Sequence, residues 1–350
     1  MAWCEARARL RDLTKEITIA GGGLAGLSLA VALRLRGVPV TVLEAGRYPR
    51  HRVCGEFISG VSAETLGFLG IRDLLEDAAF HRTLCWNEEG RELHRDTLPE
   101  PAYGISRFVL DERLRQRVVA LGGNVREGER ARPVPADGLV WAAGRRPCHG
   151  PWIGLKAHLR GLPMRADLEM HSGSNGYAGM AAVEEGWVNL CGLFRLDRSV
   201  KGKGVELLAA YLEAGGSIRL AEMVRTAEWR ADSFTAVAGF KLGRQEPLPG
   251  LLCLGDAESM IPPFTGNGMS MAFQSAEIAC DAIVSWSRGE MAWQEAMDAT
   301  HTALVRRFRK RLAAAGALHP VLFRTSGRSL LKTLSTTRLL PFQPLLSLVR

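Results

Sequence analysis

The sequence predicts an α/β fold with an inserted antiparallel β-sheet domain and a helical C-terminal segment. Two observations predict it. Apolar strands running into glycine turns and then helices occur near both ends of the chain, at residues 16–35 and 251–287. Between them, short alternating stretches such as Leu168-Glu169-Met170-His171 and Trp187-Val188-Asn189-Leu190 have the period of half-buried strands.

Residues 16–20 alternate like a buried strand and end at glycine. Leu24 to Leu35 carries helical apolar spacing, closed by Gly37. Val38 to Glu44 is the next strand, which completes a β-α-β unit. Phe108 to Leu121 reads as a helix stopped by Gly122-Gly123, and Gly138 to Gly144 as a buried strand. One helix is expected at 205–214, and a long apolar-faced helix at 268–287. The predicted boundaries are 1–150 for the first part of the cofactor domain, 151–249 for the β-sheet substrate domain, 250–300 for the returning cofactor part, and 301–350 for the helical segment.

Gly21, Gly23 and Gly26 have separate tasks in the first turn. One permits the tight bend, one leaves room for a pyrophosphate, and one lets the helix approach the sheet. The helix start at Leu24 and Ala25 offers free N–H groups to phosphate. Glu44, followed by Ala45, ends the second strand where a carboxylate can accept ribose hydroxyls. Far along the chain, Gly255-Asp256 follows a strand, and Pro263 to Met269 reads Pro-Phe-Thr-Gly-Asn-Gly-Met into a helix. Asp256 suits a ribityl hydroxyl. The backbone of Gly266, Asn267, Gly268 and Met269 suits negative charge on a reduced isoalloxazine ring. Together the two stretches specify FAD and a Rossmann-type FAD-binding domain.

The chain resembles the FAD-dependent oxidoreductases that unite the aromatic-ring monooxygenases, the geranylgeranyl reductases and the flavin halogenases. The resemblance covers most of residues 16–290. It implies that Arg52 approaches the cofactor, that Cys54 and Gly55 in Arg50-His51-Arg52-Val53-Cys54-Gly55-Glu56 lie beside the ring, and that Arg107 contacts FAD. Three departures narrow the reaction. Ala143-Gly144 followed by Arg145 stands where the hydroxylases carry an Asp-Gly pair tied to NADPH. Gly176-Tyr177-Ala178-Gly179-Met180 replaces the Tyr-x-Trp-x-Phe-Pro run of the prenyl reductases. None of the eight tryptophans forms the Trp-x-Trp-x-Ile-Pro halogenase pair.

Candidate catalytic groups are Lys156, His158, Tyr177 and Cys54. Lys156 and His158 share one face of a strand, where they either polarise or deprotonate a phenol or form a solvent-facing pair on a sheet edge. Cys54 either acts beside the cofactor or fills space as a small apolar residue. No histidine spacing indicates a metal. The expected reaction is monooxygenation of a hydrophobic, phenolic or polyketide-like small molecule. The alternative is saturation of an isoprenoid double bond. NADPH, NADH or a reductase partner is the expected electron source.

The net charge of +8 comes from scattered basic residues, which argues against nucleic acid. Seven cysteines without a CxxC pair indicate reduced thiols and a cytoplasmic setting. The first fifteen residues are too charged for a signal peptide. The apolar, basic tail over residues 330–350 either rests on the inner membrane face or packs as a terminal helix on the body.

Overall fold

The computed structural model describes residues 14–350, so the charged N-terminal stretch and Cys4 fall outside the described residues. The chain opens with β1 (Ile17–Ala20), α1 (Leu24–Leu35) and β2 (Val40–Glu44). It continues through β3 (Phe57–Ile58), α2 (Ala63–Leu69) and the hairpin of β4 (Ala79–Glu88) and β5 (Arg91–Gly104). It returns by α3 (Arg107–Ala120), β6 (Asn124–Glu127) and β7 (Leu139–Trp141). Next come β8 (Trp152–Arg160), β9 (Leu168–Ser172), β10 (Gly176–Ala182) and β11 (Val188–Arg195), then α4 (Val205–Ala214) and α5 (Ile218–Thr226). Short strands follow: β12 (Glu228–Trp229), β13 (Thr235–Ala238), β14 (Gly243–Arg244), β15 (Leu252–Cys253) and β16 (Ser259–Met260). The chain ends in α6 (Gly268–Ser287), α7 (Trp293–Phe323), α8 (Thr325–Thr336) and α9 (Phe342–Leu348).

One sheet has five parallel strands in the order β15-β7-β1-β2-β6. The larger sheet has nine strands, in the path β12-β8-β11-β10-β9-β4-β5-β3 with β13 also on β8. It is antiparallel except for the β4–β9 pair. The α/β fold with an antiparallel sheet and a helical C-terminal segment is as the sequence predicts. The larger sheet also takes β3, β4 and β5 from residues 57–104, which no local pattern singled out. A second helix, α5, follows the expected one at 205–214.

The parallel sheet and the helices over it form the main core. Every position from Leu24 to Leu33 of α1 is buried, because α1 is enclosed by the sheet, α3 and α6. That full burial explains why it carries no acidic residue in its first turn. Gly26 is where the helix meets the strand turn: a Cβ there would run into the Gly21 carbonyl oxygen. On β8 the strand period sorts two environments. Leu155, Ala157 and Leu159 pack on α4 and α5. Gly154, Lys156 and His158 point the other way, towards residues 51–56.

Leu29, fully buried in α1, measures the cost of opening this core. Leu29→Ala should cost about 2–5 kcal/mol, read from the midpoint of urea unfolding.

Candidate active site

The turn after β1 forms the first half of the site. Gly21 sits at φ +108°, and a Cβ there would overlap the Ala142 carbonyl. Gly23 caps α1 with no side-chain partner, so the first N–H groups of the helix remain available. Leu24 and Ala25 are buried beneath this turn, and the Gly255 turn lies against the Ala25 methyl.

Glu44 is buried, with both oxygens engaged. Oε2 accepts from the Gly22 N–H at 2.9 Å. Oε1 accepts from the Gly46 N–H at 2.7 Å and from Arg50 at 2.6 Å. Burial works to raise its pKa, but these N–H groups with Arg52 and Arg50 hold it below the usual carboxylate range. A ribose at Glu44 would therefore share the carboxylate with Arg50. Ala45 beside it is exposed.

Arg52 reaches Asp111 at 3.0 Å and lies 3.4 Å from both Glu44 and the Gly22 carbonyl. Arg107 makes a forked pair with the same Asp111, at 2.7 and 2.8 Å. Its guanidinium stands over the Gly23 turn. Asp111, fully buried, is thus the anchor of both arginines.

The second half borders a cavity of about 300 Å³ over the larger sheet. Cys54, Gly55, Asp256, Pro263 and Gly266 line it from the connecting segments. Tyr177, Gly179 and Ala181 of β10 form its floor, with Met170 and Trp86 beyond. Leu322, Leu331, Phe342 and Leu346 close it from α7, α8 and α9. Asp256 faces the cavity and accepts no hydrogen bond from the described residues. The surrounding protein pushes its carboxyl up, against the pull of Arg107 and Arg145. Arg145 and Arg350 are the cations in the cavity lining, and Arg145 lies over the Phe240 ring.

Gly268 starts α6 with open space above it. The side chains of its neighbours are engaged elsewhere. The Asn267 amide donates to the carbonyls of Thr265 at 3.0 Å and Val349 at 2.6 Å. The Met269 side chain packs into the core below. What these two residues can offer a ligand is their backbone at the helix start.

Of the four proposed catalytic groups, Tyr177 and Cys54 line the cavity. The Tyr177 hydroxyl accepts from the Phe264 N–H at 3.2 Å, and burial raises its pKa. Burial likewise pushes the Cys54 thiol up, so it is held as a thiol. Lys156 and His158 do not line the cavity, and they are not a solvent-facing pair either. Both are buried against Glu56: Lys156 Nζ is 3.1 Å from Oε1 and His158 Nε2 is 2.5 Å from Oε2. A short connection from β2 to β3 carries Glu56 up to β8 and so takes these two side chains away from the substrate space. Glu56, His51, Asp111 and Arg145 are the site residues that sequence reasoning missed. Glu56 meets its partners across about a hundred residues of chain, and no local pattern reports that.

Residues 14–146 match the family model described as FAD binding domain. The chain is an FAD-dependent oxidoreductase. Its fold and its FAD-binding region are similar to those of the flavoprotein superfamily of the aromatic-ring monooxygenases and geranylgeranyl reductases. Menaquinone reductase of Mycobacterium tuberculosis is 23% identical over 319 residues, covering 78% of each chain. Squalene epoxidase 4 of Arabidopsis thaliana is 32% identical over 149 residues, 39% of this chain and 28% of that protein. PqsL of P. aeruginosa, solved in complex with 2-aminobenzoylacetate, shares the fold with a TM-score of 0.70. It is 18% identical, and the match covers 91% of this chain and 99% of PqsL.

The glycine turn fits FAD because the cradle is closed to side chains at Gly21 and Gly26 but open at Gly23. A Cβ at Gly23 would meet only the Arg107 guanidinium at 3.8 Å. Gly23→Val should therefore fold with the melting temperature of the FAD-free wild-type protein and lose its bound FAD, seen as loss of yellow colour. His319, packed among Trp152, Tyr177, Phe264 and Phe323, is pushed down to about 4 by burial. The unfolded chain then binds the extra proton below about pH 6.5, so this residue's contribution to stability falls from there towards pH 4. His319→Phe should flatten that part of the curve of urea midpoint against pH.

Proposed function

We propose that this flavoenzyme is a monooxygenase that hydroxylates a hydrophobic, phenolic or polyketide-like small molecule. The observation that carries this reading is the cavity over the larger sheet. It is lined almost entirely by apolar residues; of its ionic groups, Asp256, Arg145 and Arg350, the first two stand near the cofactor turns. An apolar body would lie along Met170, Trp86 and Leu168, with its reacting end towards Cys54 and Gly55.

In this reading FAD, when bound and reduced, supplies the electrons that activate dioxygen. Gly21, Gly23, Gly26 and the α1 start hold its pyrophosphate. Glu44, with Ala45 beside it, holds the ribose of the adenosine half. Arg52 and Arg107 supply positive charge, and Asp256 with Gly255 takes the ribityl chain. Pro263, Gly266 and the backbone of Asn267, Gly268 and Met269 border the ring. Tyr177 orients the polar end of the substrate through its free hydroxyl proton. The closing leucines of α7 and α9 exclude water. The electrons come from NADPH, NADH or a reductase partner; Ala143-Gly144-Arg145 differs from the usual nicotinamide-linked pair. The tail brings the cavity mouth to a membrane face. Its Leu330, Leu339 and Leu348 are exposed, while Leu331 and Phe342 of the same segment close the cavity. No helix among the described residues is long and apolar enough to cross a membrane.

The second reading is hydride delivery to an isoprenoid double bond. The similarity to menaquinone reductase over 78% of the chain favours it. Product mass under isotopically labelled dioxygen separates the two, with chemically reduced enzyme and either phenolic-lipid or polyprenyl candidates. Monooxygenation predicts one labelled oxygen atom in the product. A gain of two hydrogens without label would establish the second reading instead.

Gly179 offers a further test, because the space above it is open and nothing approaches closer than the Glu169 carbonyl at 4.0 Å. Gly179→Leu should fill the floor of the cavity and raise KM by about tenfold or more, with FAD content unchanged. Unaltered steady-state kinetics would remove β10 from the substrate site.

A further inference from the structure

Basic residues are spread along the whole chain, but their acidic counterparts stop at Asp298. The 52 residues from Ala299 on hold ten lysines and arginines and no aspartate or glutamate. The chain carries +8, so everything before Ala299 sums to −2. Four of the ten lie close together on α7: Arg306, Arg307, Arg309 and Lys310, all exposed. Leu304, Phe308, Arg311 and Ala315 are buried on the same helix, so the four cations share its outer face. Arg306 and Lys310 stand one turn apart, where like charges destabilise a helix. None of the four enters an ion pair among the described residues. The arrangement costs helix stability, and nothing within the described chain offsets it.

This turn of α7 sits against the end of the tail. Arg311 Nε donates to the Arg350 carbonyl at 2.8 Å, and the Asn267 amide donates to the Val349 carbonyl at 2.6 Å. Burial first, and then the neighbouring Arg307, pull the Arg311 pKa down to about 10. Leu348, two residues before Arg350, is more than half exposed, as are Leu330 and Leu339. Single exposed leucines are ordinary. These three alternate with the exposed cations Arg324, Lys332 and Arg338. The other side of the same segment faces the cavity, which Leu331, Phe342, Leu346 and Val349 line. Phe308, Phe323 and Phe342 are buried or half-buried. A surface for single-stranded nucleic acid presents open rings for stacking. Leucines interleaved with cations suit the headgroup layer of a bilayer instead.

We propose that the outer face of α7 at Arg306, Arg307, Arg309 and Lys310, together with the exposed leucines of the tail, docks on an anionic phospholipid bilayer. The cations meet the phosphate-bearing headgroups. Leu330, Leu339 and Leu348 enter the boundary with the acyl chains. The attachment is peripheral, because no helix among the described residues is long and apolar enough to cross a membrane. It sets the segment that closes the cavity on the lipid, so an apolar substrate passes between bilayer and cavity without crossing water. That passage rests on the hydrophobic-substrate reading proposed above; the preference for anionic lipid rests on the charge alone.

Flotation of the FAD-loaded full chain with lipid vesicles tests the docking without turnover. The protein should float with phosphatidylcholine vesicles containing about one-third phosphatidylglycerol, stay behind with pure phosphatidylcholine, and detach as salt is raised. The variant combining Arg306→Gln, Arg307→Gln, Arg309→Gln and Lys310→Gln should partition about a hundredfold less or weaker still, roughly fivefold per cation removed. Its melting temperature and FAD content should stay unchanged, because the four side chains are exposed. Leu330→Ser with Leu339→Ser keeps every charge and should weaken partition by about tenfold or more. Equal flotation with the two vesicle types, or an unmoved glutamine variant, would overturn the electrostatic docking. An unmoved serine variant would overturn insertion of the tail. Displacement from the anionic vesicles by a single-stranded oligonucleotide of matched charge would make nucleic acid the occupant instead. Flotation with neither vesicle would overturn the membrane contact whatever the labelled-dioxygen experiment reports. Failure of that experiment with flotation intact would remove the reaction and leave the docking.

Discussion

The carboxylate of Glu56 ties the segment before β3 to β8 and to the start of α3, and the Cys54–Gly55 wall of the cavity depends on that tie. Glu56 precedes β3 in the connection from the parallel sheet, at φ +53°, a backbone region that glutamate rarely adopts. It is fully buried, as is Lys156, and it gathers Lys156, His158 and the Arg107 N–H around its two oxygens. A buried ion pair of this kind adds little net stability over an apolar filling, but losing one partner costs about 3–5 kcal/mol. Its contribution is therefore geometric. It fixes Cys54 and Gly55 against the cavity, and the Asn189 amide secures the same segment by donating to the Cys54 carbonyl at 3.0 Å.

The cofactor side depends on a different constraint, the close approach of backbones. Gly21 lets the first turn pass beside Ala142, and Gly26 lets α1 rest on that turn. The positive charge above the turn is organised by Asp111, which orients Arg52 and Arg107 together. Glu44 is held ionised by donors from both sides of β2. A phosphate-bearing ligand thus meets N–H groups and guanidinium groups already in place. That preorganisation reduces what binding must spend on ordering.

Much of this was legible in the sequence, for physical reasons that are local. The β1-α1-β2 unit announces itself through a strand period, a helix period and the glycines between them. Gly255-Asp256 and the run from Pro263 to Met269 likewise lie in single stretches of chain. What could not be read is whatever depends on contacts between distant segments. The alternation in β8 correctly places Lys156 and His158 on one face, yet which element meets that face is set by residue 56. The β4–β5 hairpin extends the larger sheet by a parallel pairing with β9, and no spacing within residues 79–104 reports such a partner. Asn267 and Met269 show the same limit on a smaller scale. Their position at the start of α6 was evident, but their side chains answer to Val349 and to the core.

The measurement that bears most directly on this account is a crystal structure of the protein with FAD bound. The account predicts the pyrophosphate at the start of α1 beside Gly23, the ribityl chain at Asp256, and the ring between the Cys54–Gly55 wall and the start of α6. A ring lying outside the cavity, with Asp256 untouched, would contradict it.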